Sequence, residues 1–323
     1  MTSSSLFTIP MCLVLASCAA ADAPPDRAVD AAVSTIPRDP AGTFAVTTTL
    51  DVPVSPAVRP VLDFAREATD GADDPMRYIV DRLVEALPEG TPKTYVRFVA
   101  PAVAAYLDER LAEVAPRFAP GVRAIAEGLA RVATHVELAE TLIVDSAGGA
   151  TRSVRGARFD VAPASPVLAF ATHGMADVTG ATRVTLDRHG TTTIDRHVIT
   201  LPYGALVRLG LDRAVIPAVE PRARDLAGAL AALVDCPHLG ELISAQLGVG
   251  SAELYGTACS AAMAALASEL YTRLDALSAQ PLVLELGGTA DGFDLDGNGS
   301  LDELRSGTWS GTVTASFTGA RSR

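Results

Sequence analysis

The chain is poor in aromatic residues, which make up 5% of it, and it has one tryptophan and a single lysine, Lys93. Formal net charge is −12, so a basic surface for nucleic acid or for anionic lipid is excluded as the main mode of binding. Arginines far outnumber the one lysine, which reads as coding bias rather than a phosphate-binding surface. No apolar run long enough to span a bilayer, about 20 residues, follows the N-terminal stretch, so no transmembrane helix is expected. His135, His173, His189, His197 and His238 have none of the spacings of a zinc site. There is no Gly-x-Ser-x-Gly elbow, and Gly248-Val249-Gly250-Ser251 lacks the lysine of a phosphate-cradling loop. These absences argue against an enzyme. His173-Gly174 with Ser146 or Ser165 is the only hydrolase-like set that stands out.

What is present begins at the N-terminus. Residues 6–15 form an uncharged, largely apolar run with the length of a signal h-region, followed by Leu15-Ala16-Ser17-Cys18-Ala19. Small residues flank a cut immediately before a cysteine, and the segment resembles the lipobox signal of bacterial lipoproteins. The resemblance implies removal of residues 1–17, acylation of Cys18 and anchorage in a membrane through lipid. The absence of Asp at Ala19 favours the outer membrane. One departure is that residues 1–5 carry no Lys or Arg, which leaves an upstream start open. Residues 18–42 are rich in Ala, Pro and charge, bury too little apolar surface to fold alone, and read as a lipidated N-terminus and flexible tether.

Residues 43–323 read as one α+β domain. Apolar residues make up 49% of the chain, enough for a sizeable core. Residues 43–52 are rich in Thr, Val and Phe and partly alternate, which predicts a strand. Ser55-Pro56, Asp74-Pro75 and Thr91-Pro92 each pair a capping residue with proline, a helix-start signature. Met76, Ile79, Val80, Leu83, Val84 and Leu87 predict one amphipathic helix; Ile125, Leu129, Val132 and Val136 predict another over 122–138. Pro101 should break or kink a helix between them. From 141 to 200 the texture is of short strands separated by Gly148-Gly149, Gly180 and His189-Gly190. A second helical block covers 203–214, 221–234 and 251–277; in its last helix Leu266, Leu270, Leu274 and Leu277 form a core stripe beside Ala258, Ala261, Ala262 and Ala265. Residues 282–286 and 308–317 are again strand-like and flank a charged loop. The expected fold is an antiparallel sheet closed by first and last strands, with two helical blocks packed on it and a C-terminal β-hairpin around the acidic loop.

Of the four cysteines, Cys12 leaves with the signal and Cys18 carries lipid, so Cys236 and Cys259 remain as an even pair in an oxidising compartment. A disulfide is expected, with two buried free thiols as the alternative.

The strongest site signal is Asp294-Leu295-Asp296-Gly297-Asn298-Gly299-Ser300-Leu301-Asp302-Glu303. It resembles the calcium loop of EF-hands and dockerins over about a dozen residues. The resemblance implies ligation by the side chains of Asp294, Asp296 and Asn298, by the carbonyl of Ser300 and through water by Asp302. Gly299 sits at the sharp turn and Leu301 at the apolar anchor. Position twelve is Arg305 where the family has a bidentate acid, and the flanks read as a hairpin rather than a helix pair. The expected cofactor is therefore a structural Ca2+ of the weaker kind, not a helix-opening switch; an ion-free acidic turn is the alternative. The functional expectation is an outer-membrane lipoprotein of non-enzymatic binding or structural role. Its partners are the membrane through the anchor and an envelope protein or apolar ligand, without nucleic acid. The alternatives are a carrier of an apolar ligand between sheet and helices, and an envelope hydrolase.

Overall fold

The computed structural model describes residues 35–52, scattered positions between 59 and 90, and residues 91–109, 116–161 and 165–322. The helix starts at Ser55-Pro56 and Asp74-Pro75, and half of the helix expected at 76–87, lie outside the described residues. So do the signal, Cys18 and the first part of the tether.

Described strands are β1 (Gly42–Asp51), β2 (His135–Val144), β3 (Gly149–Arg158), β4 (Leu168–Ala169), β5 (Val178–Leu186), β6 (Thr191–Leu201), β7 (Leu282–Phe293), β8 (Glu303–Gly311) and β9 (Ala315–Arg321). All pairings between them are antiparallel. The sheet expected from the sequence is present, and it is closed. β1 pairs with β2 on one side (Phe44↔Leu142) and with the last strand, β9, on the other (Phe44↔Arg321). The remaining strands follow in chain order, which makes an eight-stranded barrel; only the short β4 lies outside the ring, on β3. Closure removes the free edges that an open sheet would expose.

The helices are α1 (Thr91–Glu109), α2 (Phe118–Thr134), α3 (Tyr203–Gly210), α4 (Leu226–Val234), α5 (Cys236–Leu247) and α6 (Ala252–Ser278). A π-helical turn, Leu211–Val215, and a single α turn, Ile216–Val219, extend α3. Among the described residues no single helix is long and apolar enough to cross a membrane. The register places both helical insertions at one end of the barrel, because Asp51 faces His135 and Leu201 faces Leu282. The opposite end carries the tight turns at 145–148 and 187–190 and the acidic loop.

Four local expectations are corrected. α2 stops at Thr134 and residues 135–138 start β2, because Val136 and Leu138 face the barrel core rather than continuing the helix stripe. Of the break or kink expected at Pro101, the break is absent: α1 continues through it. The run 308–317 is a hairpin, not one strand, with Gly311 at φ 151° and no room for a Cβ beside the Glu285 carbonyl. In α6 Ala261 and Ala265 are exposed, while Ala258, Ala262 and Ala267 are buried with Leu270, Leu274 and Leu277. α5 is a further helix between the two expected there; Asp235, in the left-handed region at φ 53°, ends α4 and caps α5.

α6 joins two apolar clusters. Its C-terminal half (Ala267, Leu270, Leu274) packs with α2, α3 and the barrel, and its N-terminal half (Tyr255, Ala258, Met263) packs with α1 and α5. Cys236 and Cys259 form a disulfide between α5 and α6, with Cα atoms 5.5 Å apart. Gly204 lets α3 approach α6, since a Cβ there would fall 2.1 Å from the Leu274 carbonyl oxygen.

Eight strands enclose a space that side chains fill. Here the filling includes charge. Arg152 donates to both carboxylate oxygens of Glu140 at 2.7 Å, and both side chains are buried. The guanidinium stacks on Trp309, 3.9 Å from the ring centre, and its third nitrogen lies 3.3 Å from His197 Nε2. Trp309 Nε1 donates to Thr48 at 3.0 Å, and the Phe317 ring stacks on Trp309 with centroids 4.4 Å apart. His197 Nδ1 lies 2.9 Å from the Asp195 carbonyl, which fixes the neutral Nδ1–H form and leaves Nε2 to accept from Arg152. Burial is the first cause that holds the imidazole below its ordinary pKa of 6.5; the Arg152 charge adds to it, and the Asp195 carbonyl and Glu140 oppose it. A folded-state pKa below the unfolded one means that protons bind the unfolded chain more readily. Stability should therefore fall as pH drops below about 6.5 and level off once the folded-state pKa is passed. Urea midpoints measured from pH 7.5 down to about 5.5 should show this slope, and His197→Gln should flatten it; equal slopes in both proteins would sink the assignment.

Candidate metal centre

The acidic loop connects β7 to β8. Phe293↔Glu303 is the last ladder pair, so residues 294–302 project from the end of the barrel opposite the helices. Leu301 is buried and anchors the loop, as its apolar position requires. Gly297 and Gly299 adopt φ 76° and 86°, and no atom lies near a hypothetical Cβ on either, so backbone conformation and not crowding selects glycine there.

Asp294 is buried at the centre. Its Oδ1 accepts from the backbone N–H of Gly297 at 2.8 Å, and its Oδ2 accepts from Gly299 N–H at 2.8 Å and from the Thr35 hydroxyl at 2.6 Å. The Thr35 bond, then the backbone donors, hold the carboxyl below its ordinary pKa despite burial, which keeps it in the anionic form that a cation needs. Oxygens of Asp294, Asp296 and Asp302 lie within 4.8 Å of one another, a spacing at which one metal ion could be shared by all three. Asp296 is exposed and Asp302 half-buried. Asn298 folds back on the loop: its Nδ2 donates to Asp296 at 3.0 Å and its Oδ1 accepts from Ser300 N–H at 2.7 Å. Ser300 lines the same groove. Glu303, two residues before position twelve, pairs with Arg305, which also covers the Phe293 ring.

No family model, curated protein or solved structure matches the chain.

Residues of the expected tether take part in it. Thr35 pairs with Asp294 through backbone bonds of 3.0 and 3.1 Å, and Asp39 bridges Ser300. Arg38 and Asp39 N–H groups both donate to the Gly299 carbonyl. Arg321, near the end of β9, donates to the carbonyls of Leu301 and Ala41 and lies 3.4 Å from Asp302. The loop motif gave no sign of Thr35, which lies 259 positions away in sequence; Ile36, an apolar residue in a polar segment, was the only local hint.

Ser146 and His173 do not meet, and a second group of titratable side chains closes on itself. Ser146 lies in the turn before β3, and His173 lies at the helical end in the short 3-10 turn Phe170–His173, so the barrel separates them. Near His173 a groove of about 520 Å³ is lined by Arg208, Asp212 and Asp275. Asp212 accepts the Tyr271 hydroxyl at 2.6 Å, and Arg208 stacks over Tyr271 and pairs with Asp275 at 3.1 Å. Burial raises both Asp212 and Tyr271 above their ordinary pKa values. These groups satisfy one another and fasten the π-helical turn to α6.

Proposed function

We propose that the chain is a lipid-anchored outer-membrane protein with a non-enzymatic binding or structural role, and that its acidic loop holds Ca2+. The observation that carries this reading is that the segment leading in from the tether is hydrogen-bonded onto the cluster of carboxylates. A divalent cation at Asp294, Asp296 and Asp302 would stiffen the point where the anchored chain enters the barrel. The donors are all oxygen, with no Cys or His among them, which suits a hard cation. Several carboxylates on an irregular loop suit Ca2+ better than Mg2+, which demands a near-octahedral shell and keeps its waters. Arg305 in place of a bidentate acid puts the affinity in the weak extracellular range, about 10⁻⁴–10⁻³ M.

Calcium at roughly ten times its Kd should stabilise the protein by about 1.4 kcal/mol and raise the melting temperature by about 3–5 °C. Asp294→Ala combined with Asp296→Ala should abolish that shift. An unchanged melting curve in the parent protein removes the ion from the reading. Cys18→Ala should release the chain from the membrane fraction, and retention there would remove the anchor.

A further inference from the structure

The two ends of the barrel differ in what they can meet. Helices cover one end. At the other, Thr35 is pinned to Asp294, and the preceding chain leads back to Cys18 over seventeen residue steps. Fully extended, those steps reach at most about 60 Å. A barrel of ten-residue strands, tilted by about 40°, is roughly 25 Å tall. The chain that leads back to Cys18 enters the barrel at this end, so lipid on Cys18 would draw this end toward the bilayer.

That end carries charge of both signs beside exposed aliphatic side chains. An open groove of about 1140 Å³ runs between residues 35–39, the 187–190 turn and the acidic loop. Arg38 and Arg188 line it together with Asp39, Asp187 and Asp294. Neither has an acidic partner among the described residues; Arg188 Nε instead donates to His189 at 3.0 Å. Two aliphatic side chains stand out to solvent beside them: Ile36, 54% exposed, on the groove, and Leu295, 40% exposed, on the acidic loop. Aliphatic tips beside arginines that have no acidic partner among the described residues match the boundary between head groups and acyl chains.

We propose that this end of the barrel docks on the bilayer. Ile36 and Leu295 enter the interfacial layer, Arg38 and Arg188 meet phospholipid phosphates, and the helical cap points away. The proposal rests on the lipid-anchor reading.

The test uses the full lipidated chain in vesicles of phosphatidylethanolamine and phosphatidylglycerol containing brominated lipid, with calcium present. Leu295→Trp and, independently, Ile36→Trp place a fluorophore at the docking end. Val249→Trp places one just before α6, a helix roughly 40 Å long whose other end leads into the barrel. The parent, whose only tryptophan is the buried Trp309, gives the background. Quenching of Leu295→Trp and Ile36→Trp should exceed that of Val249→Trp several-fold. Equal quenching at both ends, or stronger quenching at Val249→Trp, overturns the orientation while leaving the anchor in place. Mass spectrometry of the same preparation reads the anchor separately, since a Cys18 peptide without acyl mass overturns the reading on which the orientation rests.

Discussion

Arg152→Ala should destabilise the protein by about 3–5 kcal/mol, against a total stability of about 5–15 kcal/mol. The reason is the partner left behind. Glu140 has no solvent-exposed side-chain surface, and both of its oxygens accept from Arg152 at 2.7 Å. Without the guanidinium its charge would stand in the barrel interior beside Trp309 and His197, and the carboxyl would have to take up a proton or admit water. Trp309 would also lose the cation stacked on its face. Arg152→Lys keeps the charge and loses both the two-pronged bond and the stacking, so it should fall between parent and alanine. Glu140→Leu combined with Arg152→Met removes the buried charge altogether and should regain most of the loss. Urea unfolding of the four proteins decides the matter. A double variant less stable than Arg152→Ala, or a loss below about 1 kcal/mol for alanine, would show that the pair is not held in a dry interior.

The same network shows what the sequence could and could not convey. Elements with one apolar face were legible: β1 from Phe44, Val46 and Leu50, and α2 from Ile125, Leu129 and Val132. β3 carries no plain apolar alternation, because its inward residues are Ala150, Arg152, Val154 and Ala157, with a bulge opposite Ala139 and Glu140. An inward arginine reads as polar surface until the barrel closes and supplies Glu140. The sequence suggested that the first and last strands close the sheet, but not that its interior would hold an ion pair. The acidic loop was legible because its carboxylates are close in sequence and their spacing follows local turn geometry. Thr35, Asp39 and Arg321 were not, because only the tertiary fold brings them to that loop.

Cys236→Ala with Cys259→Ala should cost about 3 kcal/mol by the loop-closure argument, given a separation of 23 residues. Both sulfurs are buried in the cluster formed by α1, α5 and the first half of α6. A reductant therefore reaches the bond only when that cluster opens, and the substitutions are the cleaner experiment. The cluster holds residues from none of the barrel strands, so the loss should be local. Amide exchange should quicken in Cys236–Leu247 and the N-terminal half of Ala252–Ser278, while β1, β2 and β6 keep their protection. Calcium should raise the melting temperature of this variant as it does that of the parent, because the acidic loop lies at the far end of the barrel. Equal loss of protection in the strands would sink the local assignment: cap and barrel would then open as one unit, joined by α6 running through both clusters.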